Sequence, residues 1–153
     1  MNGYNKPLPE LVYPDFLLGI DNDSMALKTF TNNHKNAKSF CGDITKVSSK
    51  DIYRLVGQKP IDVIIGGPPC QGFSLSGPRN FNDPRNSLYI SYILLVKEIR
   101  PKIFLIENVP GIIKLFGGVV KNNIIKAFTD CGYTVQYKVL CASDFGVPQI
   151  RCT

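Results

Sequence analysis

Four short apolar runs, each cut off by a polar or turn-forming residue and separated by stretches of helical spacing, confine this chain to an α/β architecture. Phe16-Leu17-Leu18-Gly19-Ile20 stops at Asp21, and Ser39-Phe40-Cys41 stops at Gly42-Asp43. Residues 61–66 stop at Gly67-Pro68-Pro69-Cys70, and residues 102–106 stop at Glu107-Asn108-Val109. Runs this short, bounded by Gly, Pro and Asp, read as strands; their alternation with amphipathic helices predicts crossover units and a mostly parallel sheet. The helices are legible too. Residues 23–33 place Ala26 and Phe30 one turn apart, and Ser48 or Ser49 can cap a helix whose inner face is Ile52, Leu55 and Val56. From Ser87, the spacing of Leu88, Tyr92, Leu95, Val96 and Ile99 is helical until Pro101 ends it. Val120, Ile124 and Phe128 mark a further helix, and Tyr133, Val135, Tyr137 and Val139 alternate as in a half-buried strand.

A chain of 153 residues suffices for one domain with a real core. Residues 1–15, with Pro7, Pro9 and Pro14, predict an irregular N-terminal segment, and residues 16–153 the domain itself. With 44% hydrophobic and 20% charged residues, no apolar run of membrane-spanning length and no signal-peptide pattern, the expected setting is the cytoplasm. The net charge of +6 is compatible with a polyanionic partner without establishing one. Five cysteines, no Cys-x-x-Cys and a single histidine, His34, argue against a disulfide framework and against a zinc site. Cys41, Cys131 and Cys141 stand among apolar residues and read as inert core cysteines.

Open α/β sheets bind ligands beyond the carboxyl ends of their strands. Asp21, Asp43, Cys70 and Glu107 each follow a predicted strand, so they should gather along one edge. Any one of them alone is matched by the bland fact that strands often end in such residues. All four together favour a site. A carboxylate at Asp21 can accept hydrogen bonds from a ribose diol, and Asp43 can meet an adenine amino group or simply cap Ile44-Thr45-Lys46. There is no Gly-x-Gly-x-x-Gly, which disfavours a pyrophosphate-bearing cofactor. Cys70 with an ordinary thiol pKa would be only about 3% thiolate at neutral pH, unless Arg79, Arg85 or Arg151 stands near it. Glu107, ending an apolar strand, should be partly desolvated, and burial favours the protonated acid. A nucleophilic thiol beside a carboxylic acid suits addition to an electron-poor ring. The bland alternatives are a small residue in a tight turn for Cys70 and a solvated carboxylate for Glu107.

At this point the residues resemble a family, the bacterial-type DNA (cytosine-5) methyltransferases. The matching segments are Gly19-Ile20-Asp21-Asn22-Asp23, Gly42-Asp43-Ile44, Gly66-Gly67-Pro68-Pro69-Cys70-Gln71-Gly72-Phe73-Ser74, Asp83-Pro84-Arg85-Asn86-Ser87-Leu88-Tyr89, Glu107-Asn108-Val109 and Gly146-Val147-Pro148-Gln149-Ile150-Arg151. The resemblance implies an incomplete Rossmann-like fold dependent on S-adenosylmethionine, acting on double-stranded DNA with a flipped cytosine, and using no metal. It implies that Cys70 attacks C6 of the base, that Glu107 holds the N3 edge and supplies a proton, and that Arg151 orients the site or the backbone. It further implies Asp21, Asp43, Ile44, Pro69 and Leu88 for the cofactor. For the substrate it implies the Pro68 carbonyl and a lid over residues 71–86 with Gln71, Ser74, Ser76, Arg79 and Arg85.

The sequence departs from the family in three places. Nothing before Asp21 resembles the family's Phe-x-Gly-x-Gly turn, whose strand lies in the middle of related sheets. The second arginine of the Gln-x-Arg-x-Arg motif is Thr153 here, and the segments that normally follow, including the target-recognition region, are not in the sequence. The expectation is therefore a truncated or split form, or a fragment, with little or no methyl transfer alone; in the split case a second chain would supply the recognition region and the missing motifs. The alternatives are an RNA (tRNA) cytosine-5 methyltransferase and a non-catalytic binding or regulatory partner of the same fold.

Overall fold

The computed structural model describes residues 14–69 and 87–153. Its elements run β1 (Leu18–Asp21), α1 (Ser24–Asn33), β2 (Lys38–Cys41), α2 (Ser49–Val56), β3 (Val63–Gly66), α3 (Ser87–Ile99), β4 (Ile103–Ile106) and α4 (Val119–Asp130), with short 3₁₀ turns between several of them. The chain divides into two compact units, Met1–Asp43 and Ile44–Thr153. Each contains one pair of parallel strands, β1 with β2 and β3 with β4. Among the described residues each pair is a two-stranded sheet.

In the first unit, Asp23 caps α1 by accepting from the Met25 and Ala26 amides at 2.8 and 3.4 Å. The register pairs Asp21 with Cys41, so the two strands end level. His34, the single histidine, packs against Phe16 and Phe30 at ring-centroid distances of 4.0 and 4.7 Å.

In the second unit, Ser48 caps α2 in a capping box with Asp51. Gly57 then ends that helix in the left-handed conformation, at φ 69°. β3 and β4 alternate, and Ile64, Phe104 and Ile106 pack against the buried Tyr89, Tyr92, Val96 and Phe128 of α3 and α4. Phe104 stacks on Phe128 at 4.1 Å. On the other face of this strand pair, Val63, Ile65, Ile103 and Leu105 are exposed.

One device appears in both strand pairs: an aromatic ring from the crossover helix lies directly on a strand glycine. Phe30 of α1 covers Gly19, and Tyr92 of α3 covers Gly66, each so closely that a methyl group on the glycine would meet the ring at 2.7 and 2.5 Å. Tyr92 is also tied to both strands beneath it, its hydroxyl lying 3.1 Å from the Ile64 carbonyl and 2.9 Å from that of Leu105. Burial in this position pushes the Tyr92 phenol well above its ordinary range.

Two expectations are corrected. Residues 133–139 form no strand, because no described segment offers them a ladder. Tyr133 and Val135 still turn inward to the core, and the Tyr133 hydroxyl donates to the Pro101 carbonyl at 2.6 Å, whereas Tyr137 and Val139 are exposed. The cysteines are also different from what their apolar neighbours suggest. Cys41 is exposed, Cys131 is half-buried, and Cys141 is not an inert core thiol but forms a disulfide with Cys152.

Candidate active site

β3 and β4 end side by side because their register is level. Gly66 pairs with Ile106, and the Glu107 amide continues the ladder by donating to the Gly66 carbonyl at 3.0 Å. The segment Gly67-Pro68-Pro69 and the segment Glu107-Asn108-Val109 therefore leave the sheet from one edge. The Glu107 side chain leans across this edge, with Oε2 3.4 Å from where a Cβ on Gly67 would stand.

Asn108 joins the two segments. Its Nδ2 donates to the buried Pro68 carbonyl at 2.9 Å, while its Oδ1 accepts from the Val109 amide at 2.9 Å. Both ends of the amide are engaged, so the side chain is locked in one orientation. Pro68 stands two positions before Cys70 in the sequence, so this contact ties the described residues nearest Cys70 to the strand end that carries the carboxylate.

The C-terminal segment supplies a third side. Leu140 and Thr153 exchange both backbone hydrogen bonds at 2.9 Å, and Cys141 pairs with Cys152 as an antiparallel bridge. Side chains alternate along an extended segment, so Arg151 and Thr153 share one face and Cys152 takes the other. Both face residues reach Glu107. The Thr153 hydroxyl contacts Glu107 Oε1 and lies 2.6 Å from the Asn108 carbonyl, its one proton serving either acceptor. An Arg151 guanidinium nitrogen stands 3.8 Å from Glu107 Oε1. That ion pair is exposed, with the side chains 63% and 45% accessible, so it orients more than it stabilises. The same figure corrects the expected desolvation of Glu107: the carboxylate sits at an open sheet edge, held by polar neighbours and not by an apolar wall.

The remaining expected residues fall as follows. Asp21 ends β1, where its Oδ1 accepts from the Asp23 amide at 2.9 Å and the side chain stays exposed. Asp43 follows β2 at the same carboxyl edge of that strand pair. Ile44 opens the next unit in a 3₁₀ turn, half-buried. Pro69 is exposed at the end of the described loop, and Leu88 is half-buried in the first turn of α3. Cys70, Gln71, Ser74, Ser76, Arg79 and Arg85 lie outside the described residues. Sequence reasoning assigned no role to Asn108, although an amide directly after a strand end was the available signal. It also treated Thr153 only as a lost arginine. Among the described residues no group of three or more His, Cys, Asp or Glu gathers as a metal would require.

Parallel strands joined by crossover helices, with polar residues at their carboxyl ends, form the α/β arrangement in which ligands commonly bind at that edge. The family model for C-5 cytosine-specific DNA methylases matches residues 11–152, and the chain belongs to that family. It is 42% identical over 133 residues to the type II methyltransferase M.AgeI of Thalassovita gelatinovora, covering 86% of this chain and 31% of that protein. It is 40% identical over 154 residues to M.DdeI of Desulfomicrobium norvegicum, covering 99% of this chain and 34% of that protein. Among solved structures, the Dnmt2 methyltransferase of S. pombe superimposes with a TM-score of 0.69 over 90% of this chain and 41% of that one, at 23% identity, a likeness of fold. The chain thus spans about a third of the length of these curated relatives.

Proposed function

We propose that this chain carries the base-activating part of a DNA cytosine-5 methyltransferase. The observation that carries the reading is the Asn108–Pro68 tie, which holds the Glu107 strand end against Pro68, two positions before Cys70 in the sequence. A cytosine flipped from the duplex, at a cost of a few kcal/mol in lost stacking and pairing, would present its C6 to the Cys70 thiolate. The thiolate would bond to C6 while Glu107, in its protonated form, passes a proton to N3, so that electron density collects at C5. Once C5 carries the methyl group, loss of its proton to a base and expulsion of the thiolate would restore the aromatic ring, with the N3 proton returned to Glu107. The Pro68 carbonyl has two lone pairs, one engaged by Asn108, which leaves one for the exocyclic amino group that distinguishes cytosine. Arg151 and Thr153 hold the Glu107 carboxylate in its orientation. Gln71, Ser74, Ser76, Arg79 and Arg85 are assigned to the DNA by the motif alone.

S-adenosylmethionine, when bound, supplies the electrophilic methyl group. The residues present fit its nucleoside end. Asp21 is an exposed carboxylate fixed by one backbone hydrogen bond, suited to a ribose diol. Asp43, Ile44, Pro69 and Leu88 are assigned to the adenine end by the motifs alone. The recognition region that its relatives' length implies would come from sequence beyond this segment or from a second chain.

The test uses a duplex containing 5-fluorocytosine together with S-adenosylmethionine, because fluorine at C5 blocks release of the thiol. A denaturant-stable protein–DNA adduct is expected, from the purified chain or from M.AgeI carrying this chain in place of its matched segment. The adduct should vanish in Cys70→Ser. Its absence from both proteins refutes the reading, and stronger trapping on RNA of the same sequence moves the substrate to RNA.

A further inference from the structure

Among the described residues, the polar partners of the Glu107 carboxylate come from a segment that is fastened from behind. Arg151 and Thr153 face the carboxylate, and Cys152 between them points the other way, into a disulfide with Cys141. The disulfide spans 11 positions of sequence and closes a loop around the Gly146-Val147-Pro148-Gln149 turn. Apart from it, the segment is held to residues 140–142 by three backbone hydrogen bonds: the Leu140–Thr153 pair and the Ala142 amide to the Arg151 carbonyl at 2.8 Å. Residues 143–152 are otherwise exposed, including Ile150 at 96%. No apolar burial therefore substitutes for the covalent link. Cys152 itself is exposed, and a small thiol can reach it.

We propose that the Cys141–Cys152 disulfide is a redox-controlled positioning clasp for Glu107. Closed, it holds Arg151 and Thr153 on the carboxylate; opened, it lets the segment swing away and leaves the carboxylate without its two orienting neighbours. The exchange balances with a thiol such as glutathione. A thiolate attacks Cys152 Sγ, the S–S bond breaks, and Cys141 leaves as a thiolate that takes up a proton. A second glutathione releases Cys152 and departs as oxidised glutathione, so two glutathiones supply the two electrons and two protons. Oxidised glutathione closes the clasp by the reverse route. The catalytic consequence rests on the function proposed above; the mechanical consequence does not.

The test separates the two. In a Cys41→Ser/Cys70→Ser/Cys131→Ser background, only Cys141 and Cys152 remain of the five cysteines. Intact mass after alkylation should show no modified cysteine under oxidised glutathione and two under reduced. Amide exchange at residues 151–153 should quicken about tenfold or more on reduction, as expected when a local closure is lost. The chain has only three glutamates, Glu10, Glu98 and Glu107, so a ¹³C-carboxylate label resolves Glu107, whose resonance should move on reduction while the other two stay. Free thiols under oxidising conditions overturn the proposal, as does a disulfide whose reduction leaves both the exchange and the Glu107 resonance unchanged. With Cys70 restored, trapping on 5-fluorocytosine DNA should slow about tenfold on reduction, in the limiting single-turnover rate and not in the DNA concentration that gives half of it, with Cys141→Ser behaving as permanently reduced. Thiol enzymes ordinarily gain activity from reductant, so the opposite sign is diagnostic. A clasp that passes the exchange and resonance tests in a chain that traps no cytosine stands, while the proposed function falls.

Discussion

Adding one methyl group at Gly66 tests how the fold holds the site. In Gly66→Ala the new Cβ would sit 2.5 and 2.8 Å from two ring carbons of Tyr92, against an ordinary contact of about 3.5–4.0 Å. One of the two must shift by about 1 Å. The ring resists, since Tyr92 is 4% exposed, edges onto Phe128 and is tied by its hydroxyl to carbonyls of both strands. Overpacking of this kind costs about 1–3 kcal/mol, and loosening the hydroxyl bond adds about 1 kcal/mol. The lower entropy of an unfolded alanine chain offsets roughly 0.4–1 kcal/mol. The net expectation is a loss of about 2–3 kcal/mol. Urea unfolding followed by circular dichroism should show a lower midpoint at unchanged slope. In a Tyr92→Ala background the obstacle is gone, so the same substitution should cost about 0.5 kcal/mol or less. Should Tyr92→Ala fail to fold, Tyr92→Phe, which frees the ring from its tether, should reduce the cost by about 1 kcal/mol. A Gly66→Ala protein within about 0.5 kcal/mol of the parent, or a cost that is the same in every background, refutes the reasoning.

Asn108→Ala should destabilise by about 1–3 kcal/mol, measured by the same unfolding, because it takes the donor from the partly buried Pro68 carbonyl. Asn108→Asp, which keeps the shape but loses the donor when ionised, should be no better and should slow cytosine trapping more than it weakens DNA binding. Asp51 has its carboxyl held below the ordinary range, first by the Ser48 hydroxyl and then by the Ser48 amide. A depressed folded pKa gives stability that is full above the unfolded value of about 3.8 and lost as pH falls through the folded one. Asp51→Asn should therefore flatten the acid limb of the stability profile below about pH 4, read by urea unfolding at several pH values. Asp21→Ala should weaken S-adenosylmethionine binding about tenfold or more by calorimetry, as expected for a lost charge-assisted hydrogen bond, with unfolding stability nearly unchanged because the side chain is exposed.

The local reading of the chain was sound where one short segment settles the outcome. The capping box at Ser48, the helix from Ser87 to Ile99 and its arrest before Pro101 all follow from neighbours within a few residues. The four strand ends also stood where apolar runs met Gly, Pro, Asp and Glu, and the Cys-loop and Glu-Asn-Val motifs led to the family. Reading failed where the partner lies far along the chain. The alternation at 133–139 resembled a strand, but alternation describes a surface and a strand also needs a neighbour. Glu107 looked desolvated because its strand is apolar, yet burial depends on what covers the strand end. Cys141 looked like core because its neighbours are apolar, yet its environment is set by Cys152.

Composition, periodicity and motif spacing thus settled the α/β class, the position of most elements and the family, since these rest on propensities and on chemistry that short segments hold. Tertiary structure alone decided the lock of Asn108 onto Pro68, the rings laid on Gly19 and Gly66, and the approach of Thr153 and Arg151 to Glu107. These are contacts between separate elements, from Gly19 with Phe30 to Glu107 with Thr153, and no local pattern encodes which of many chemically suitable partners will meet. The thiol of Cys152 makes the point most directly: its sequence neighbours are a cation and a hydroxyl, and its bond partner is found only when the chain turns back on itself.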